Sequence, residues 1–277
     1  MAVKIGIVGL GLIGGSMAKA IKEMTLHEVY GYDILQSTML DAAAENAIDG
    51  TLDSSTLSEC DIVIISLYPQ AAVEYVSSNA SAFRKGSVVI DCTGTKRIIC
   101  ETLEPIAKEN GFHFLGGHPM AGTQFWGFQA SRPSLFKGAS MILTPNGTDA
   151  DILDRVRALF FDIGFGEITF TTPEEHDRII AYTSQLAHVV SNAYIKSPTA
   201  LMRKGISAGS YKDMTRVAKL NENMWTELFL ENRDFLVEEI DLLIENLSKY
   251  SKALKENSEA ELRQLLKDGK DTKKQAG

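Results

Sequence analysis

The sequence predicts an α/β half followed by an all-α half, and three observations carry that prediction. Short β-branched runs alternate with longer helical patterns from residue 3 to about residue 170. A glycine-rich turn follows the first of those runs directly, and no convincing strand appears after Thr172-Pro173. The boundary is therefore placed near residue 172, with an α/β domain over 1–172 and a helical domain over 173–277.

In order, the expected strands are Val3 to Val8, Glu28 to Tyr32, Asp61 to Ser66, Ser87 to Asp91, Phe112 to Leu115, Ala139 to Thr144 and Glu167 to Phe170. Helical patterns fill the gaps at Ile13 to Met24, Gln36 to Asn46, Ala71 to Ala80, Lys96 to Asn110 and Asp151 to Ile163. Such alternation gives a parallel sheet with helices on both faces. From Glu174 onward the sequence is helix-forming, interrupted near Ser197-Pro198 and Ser207 to Ser210. Leu236, Ile240, Leu243, Leu247, Tyr250 and Leu254 step by fours and threes, the seam of one long helix. Its partner is either its own domain or the same helix of a second copy. The stretch Lys267 to Lys274, broken by Asp268, Gly269 and Asp271, reads as a frayed tail.

Composition removes several classes of function. A net charge of −8 provides no concentrated basic face, so nucleic acid is not an expected partner. No long run is apolar without charge or glycine, so no membrane span is expected. Cys60, Cys92 and Cys100 make no metal-type pair and leave one thiol over under any disulfide scheme. Reduced thiols, and Met1-Ala2-Val3-Lys4 leading straight into a strand, fit a cytoplasmic protein without a cleavable leader. No metal site is expected.

Gly9-Leu10-Gly11-Leu12-Ile13-Gly14 lies between the first strand and the first helix. The pattern asks for a tight turn at Gly9, an open Gly11 where a pyrophosphate meets backbone, and close helix packing at Gly14. Asp33 ends the second strand, where a carboxylate accepts hydrogen bonds from ribose hydroxyls. The first domain is thus expected to be a Rossmann-type dinucleotide-binding domain. Asp33 would repel a 2′-phosphate and Ile34 follows it in place of an arginine, so NAD is favoured over NADP. The expected cofactor contacts are Gly9, Gly11, Leu12, Ile13, Gly14, Asp33, Ser66, Thr93 and Gly94.

Gly116-Gly117-His118-Pro119-Met120-Ala121-Gly122-Thr123 follows the strand ending at Leu115, on the ligand side of an open sheet. A histidine there suits a base that takes a hydroxyl proton as hydride leaves for a nicotinamide. With Gly9 to Ser16, His176-Asp177 and Lys212-Asp213-Met214-Thr215-Arg216-Val217-Ala218, these residues resemble the prephenate/arogenate dehydrogenase family of tyrosine biosynthesis from residue 3 to about 250.

That resemblance implies NAD(P)-dependent oxidative decarboxylation of a cyclohexadienyl ring, in a homodimer built on the C-terminal helices. It implies that His118 accepts the ring hydroxyl proton, that Arg216 binds a substrate carboxylate, and that His188 lines the site. His176 matches a helix-start histidine, and Trp225 a tryptophan near the pocket. Without the resemblance, Arg216 suits an intradomain salt bridge with Asp213 three residues earlier as well as it suits a ligand, and the helix histidines and Trp225 would be ordinary packing residues. No residues are left over for a mutase or regulatory domain, and none is expected.

Three departures from the family pattern stand out. Asp91-Cys92-Thr93-Gly94-Thr95 replaces a usual Gly-Ser, so Thr93 or Thr95 would have to supply the hydroxyl near the nicotinamide. Gln185 stands where many members have a histidine. Gln124 follows Thr123 where several members place an acid. A neutral amide does not favour the ammonium of arogenate over the ketone of prephenate, so prephenate is the expected substrate.

Overall fold

The computed structural model describes residues 2–145, 147–202 and 204–276. Its centre is an eight-stranded sheet of β1 (Lys4–Val8), β2 (Glu28–Tyr32), β3 (Gly50–Thr51), β4 (Ile62–Ile65), β5 (Val88–Asp91), β6 (His113–Pro119), β7 (Ser140–Thr144) and β8 (Glu167–Phe170). The spatial order is β3-β2-β1-β4-β5-β6-β7-β8. Every pairing is parallel except β6 with β7.

Both faces of the central strands are buried, which explains their unbroken apolar runs. Ile62 and Ile64 of β4 point into one core with Ile5, Ile7 and Met17, while Val63 and Ile65 point into the other with Val76 and Leu103. The helices of this half are α1 (Leu12–Met24), α2 (Gln36–Ala44), α3 (Ser54–Leu57), α4 (Pro69–Ser78), α5 (Arg97–Asn110) and α6 (Ala150–Asp162). Strand order reverses between β1 and β4, the switch point at which open α/β sheets leave a crevice for ligands.

The helical half comprises α7 (Pro173–Ile180), a wide π-type turn over Ala181–Leu186, α8 (Ala187–Tyr194), α9 (Gly209–Thr215), α10 (Glu222–Glu231), α11 (Arg233–Lys255) and α12 (Glu259–Ala276). Thr172 caps α7 by accepting the Glu175 amide, and Pro173 occupies the first turn where its missing N–H costs nothing. On α11, Leu236 is buried and Ile240, Leu243 and Tyr250 are partly covered, while Leu247 and Leu254 stay exposed.

Three sequence expectations need correction. The residues from Lys267 to Lys274 belong to α12, which packs against α11; the apolar spacing of Leu262 and Leu265, not the charge run, decides it. The tiny strand β3 went unseen because two residues show no alternation. His118 is not in a loop after the strand: β6 runs to Pro119, pairing with β5 through Leu115 and then with β7 from Gly116. Two adjacent glycines masked that continuation.

Candidate active site

The glycine-rich turn has the geometry a dinucleotide needs. Gly9 has φ +85°, and a Cβ there would lie 2.5 Å from the Ser66 carbonyl oxygen. A Cβ on Gly14 would fall 1.9 Å from the Gly9 oxygen, so the turn tolerates no side chain at either position. A Cβ on Gly11 would meet nothing within 4 Å, leaving open space before α1. No side chain caps α1, so the first-turn amides of Leu12 and Ile13 remain available for phosphate oxygens. Asp33 accepts the Leu10 amide at 2.9 Å and the Leu35 amide at 2.9 Å, which holds its carboxylate beside this turn. The residues present fit NAD.

After β5 the chain makes a tight, buried turn. Asp91 accepts from the Thr93 amide at 3.0 Å, the Thr93 hydroxyl at 2.6 Å and the Gly117 amide at 2.9 Å, and it also pairs with Lys96. Both charged side chains are 0% exposed. A buried lysine survives only when paired, and Lys96 also donates to the Thr93 hydroxyl at 2.9 Å. The network therefore fixes the backbone residue immediately before His118.

His118 Nδ1 lies 2.9 Å from His176 Nε2, and His176 Nδ1 lies 2.7 Å from Asp177 Oδ1. The Asp177 carboxylate accepts the amides of Lys96 at 2.7 Å and Arg97 at 2.9 Å as well, so it is fixed as an anion. Burial pushes its pKa up, but His176 and these donors outweigh that and hold it below 3.8. An anionic Asp177 requires the proton of neutral His176 on Nδ1, which makes Nε2 an acceptor. His118 must then donate from Nδ1, and its Nε2 is left bare. Burial, followed by the charges of His176 and Lys96, lowers the His118 pKa well below 6.5, so the imidazole is neutral at pH 7. Burial likewise lowers His176, with Asp177 opposing.

From the helical half, His188 stacks on Trp225 with ring centroids 3.8 Å apart and donates from Nδ1 to the Ser184 carbonyl at 2.8 Å. Burial lowers its pKa, the bond to Ser184 opposes this, and the charge of Arg216 adds to the lowering. Arg216 is exposed, and among the described residues it forms no ion pair with Asp213. Thr123 accepts the Phe125 amide and donates to the Phe125 carbonyl, each at 3.1 Å, closing an exposed turn that carries Gln124. Next to it, Trp126 is 67% exposed with Lys219 Nζ 5.9 Å from its ring centre. No cluster of three metal-ligating side chains occurs among the described residues.

Comparison with known proteins follows the same two halves. The family model for the prephenate dehydrogenase nucleotide-binding domain matches residues 17–167, and that for the prephenate dehydrogenase dimerization domain matches residues 172–268. The chain belongs to the prephenate dehydrogenase family. A cyclohexadienyl dehydrogenase from Zymomonas mobilis is 32% identical over 262 residues, covering 90% of this chain and 88% of the relative. A prephenate dehydrogenase from Aquifex aeolicus, solved with hydroxyphenyl propionate and NAD+, superposes with a TM-score of 0.85 at 28% identity, covering 100% of this chain and 99% of that one. An arogenate dehydrogenase from Synechocystis gives 0.82 at 26% identity, covering 99% and 100%.

Within this family of NAD-dependent oxidoreductases, the structure assembles residues that sequence reasoning left scattered. The His176-Asp177 pair forms a relay behind His118, and Asp91, Lys96 and Glu231 had no assigned role. The signal for Lys96 was a lysine following a buried strand's end; the signal for Glu231 was absent, because its partner is 136 residues away. The threonines are placed differently from one another. Thr93's hydroxyl bonds Asp91, and Thr95's bonds Glu231 across the domain boundary. The partner of His118 is His176 and not either hydroxyl. Gln185, buried, donates to the Leu228 carbonyl at 3.0 Å and accepts from Asn232 at 2.8 Å, so it braces the helices.

Proposed function

We propose that the chain catalyses the NAD-dependent oxidative decarboxylation of prephenate to 4-hydroxyphenylpyruvate. The observation that carries this reading is the bare Nε2 of His118, imposed by the chain of hydrogen bonds from Asp177 through His176. Prephenate enters with its ring hydroxyl at His118, which takes the proton as the carbinol hydrogen departs. The imidazolium so formed is stabilised along the relay to Asp177. Arg216, exposed on the helical half, grips a carboxylate of the dianion in a forked hydrogen bond. The ring carboxylate leaves as CO2, its bonding electrons aromatise the ring and drive the reaction, and the ring oxygen takes the proton back from His118 to become the phenol.

NAD, when bound, supplies the hydride acceptor. Gly9, Gly11, Leu12, Ile13 and Gly14 would hold its pyrophosphate and Asp33 its ribose, with Ser66, Thr93 and Gly94 on the turns nearer the nicotinamide. The carboxylate of Asp33 supports NAD over NADP. Gln124 supports prephenate, since a neutral amide gives no charge partner to an ammonium. Similarity to a cyclohexadienyl and an arogenate dehydrogenase favours a second reading, in which both ring acids are accepted.

The proposed assembly is a homodimer in the cytoplasm, with the boundary between domains at residues 172–173. Exposed Leu247 and Leu254 on α11 support a helical interface, and no helix among the described residues is long and apolar enough to cross a membrane. Initial rates of NADH or NADPH formation with prephenate and arogenate, each against NAD and NADP, test the reading. Prephenate with NAD should be the fastest pair by at least about tenfold; arogenate with NADP as the best pair would overturn it.

A further inference from the structure

Helix α10 lays one face on the cofactor-side turns of the sheet. Glu227 accepts the Gln70 amide in the first turn of α4, just after β4. Leu228 packs on the next turn so closely that a Cβ on Gly94 would lie 3.1 Å from its Cδ2. Glu231, one helical turn further, accepts the hydroxyl of Thr95, a residue only 2% exposed. Asn232 follows directly and donates to the Asp177 carbonyl at 2.8 Å, while Arg97 donates to Asn232 at 3.0 Å. One short stretch of the helical half thus touches both turns expected to flank the nicotinamide and the relay behind the base.

We propose that Glu231 is a positioning residue for the reaction: through the Thr95 hydroxyl it fixes the 93–97 turn in the register that NAD requires and couples that turn to the helical half. The inference rests on the reading of the cofactor site given above. Thr95 is buried and Glu231 is half-buried. Burial raises the Glu231 pKa; the Thr95 hydroxyl and Lys96 oppose this, and Glu227 and Asp177 reinforce it. Glutamine keeps the shape of this side chain and an oxygen that accepts the Thr95 hydroxyl, whereas alanine removes the acceptor.

Four variants decide the matter: Glu231→Ala, Glu231→Gln, Thr95→Val and the double variant Glu231→Ala with Thr95→Val. The loss of one buried hydrogen bond at the cofactor turn should raise the KM for NAD about tenfold in Glu231→Ala and in Thr95→Val, with a smaller fall in kcat and little change in the KM for prephenate. The double variant should be no worse than either single one, and Glu231→Gln should stay within about twofold of the parent enzyme. A purely structural glutamate would lower Tm and leave the NAD KM within about twofold, and that result overturns the proposal. So does a double variant whose effects multiply. Thr95→Val and Glu231→Gln preserve shape, so a failure of Glu231→Ala to fold leaves the comparison intact. Should the parent enzyme turn over neither ring acid, the functional reading fails, and the NAD dissociation constants of the same variants, by calorimetry, still decide the role of Glu231.

Discussion

The two ends of the site are built by opposite means. Around the base, Asp91 and Lys96 are 0% exposed, His176 and Asp177 are each 1% exposed, and every one of them has several partners. Where the substrate carboxylate is expected, Arg216, Asp213 and Gln124 are exposed, and a solvent-facing pair of aromatics, Phe125 and Trp126, stands by. On the proposed reading, the difference teaches that the proton-transfer apparatus is assembled before substrate arrives, at the expense of burying charge, while recognition is left to be completed by the ligand. Mutations should therefore separate cleanly into those that damage chemistry or folding and those that damage affinity.

The sharpest way to break that contrast is His118→Asn. Loss of the base should lower kcat by about 10²–10⁴ with the KM for prephenate nearly unchanged; retention of near-normal turnover would place the chemistry elsewhere. Lys96→Met should act on folding: it strands the Asp91 carboxylate in the core, and unfolding in denaturant should show a loss of about 3–5 kcal/mol. Were that variant as stable as the parent, the cluster would not be holding the His118 strand.

At the open end, Arg216→Ala should raise the KM for prephenate about 10–100-fold while Tm stays put, because an exposed guanidinium contributes little to folding. A stability loss above about 1 kcal/mol in denaturant titration would instead make Arg216 a structural residue. Acidification tests both ends at once. His118 is held below its ordinary 6.5, so turnover should stay level as pH falls through 6.5 and decline only at lower pH, when the base finally protonates. Stability behaves differently: below about 6.5 the unfolded chain takes up protons that native His118 and His176 refuse, so folding weakens as pH drops. Further loss comes below about 3.8, where Asp177 stays ionised only in the native state. An activity midpoint at or above 6.5 contradicts the buried-base picture. The smallest effect belongs to Gln124→Glu, expected to shift the arogenate-to-prephenate ratio of kcat/KM by a few-fold toward arogenate; an unchanged ratio removes Gln124 from substrate selection.

Much of this contrast was legible in the chain before folding. Gly9, Gly11 and Gly14 announce themselves by local spacing, because the turn they make is local, and Asp33 lies one strand away. His118 and Arg216 stood out through the motifs around them. The relay did not, since His118 and His176 are 58 residues apart and only the packing of α7 against the end of β6 joins them. The same holds for Thr95 and Glu231. What periodicity cannot report is a contact between two elements each of whose own patterns is already satisfied, and the buried polar network consists of such contacts. The α12 tail was misjudged for the opposite reason: its lysines and aspartates mask two leucines that need only one neighbouring helix.

His118 pairs with Ile142 of β7, and Gly117 just before it donates its amide to the Asp91 side chain at the end of β5. A backbone held in the sheet has little freedom to follow a ligand, so on the proposed reading adjustment for a differently shaped ring falls to the helices and the exposed residues after Met120. Under the proposed function, catalytic fidelity and substrate choice would fall to separate mechanical parts, and a lineage could alter which acid it accepts without disturbing the anvil on which the reaction is struck.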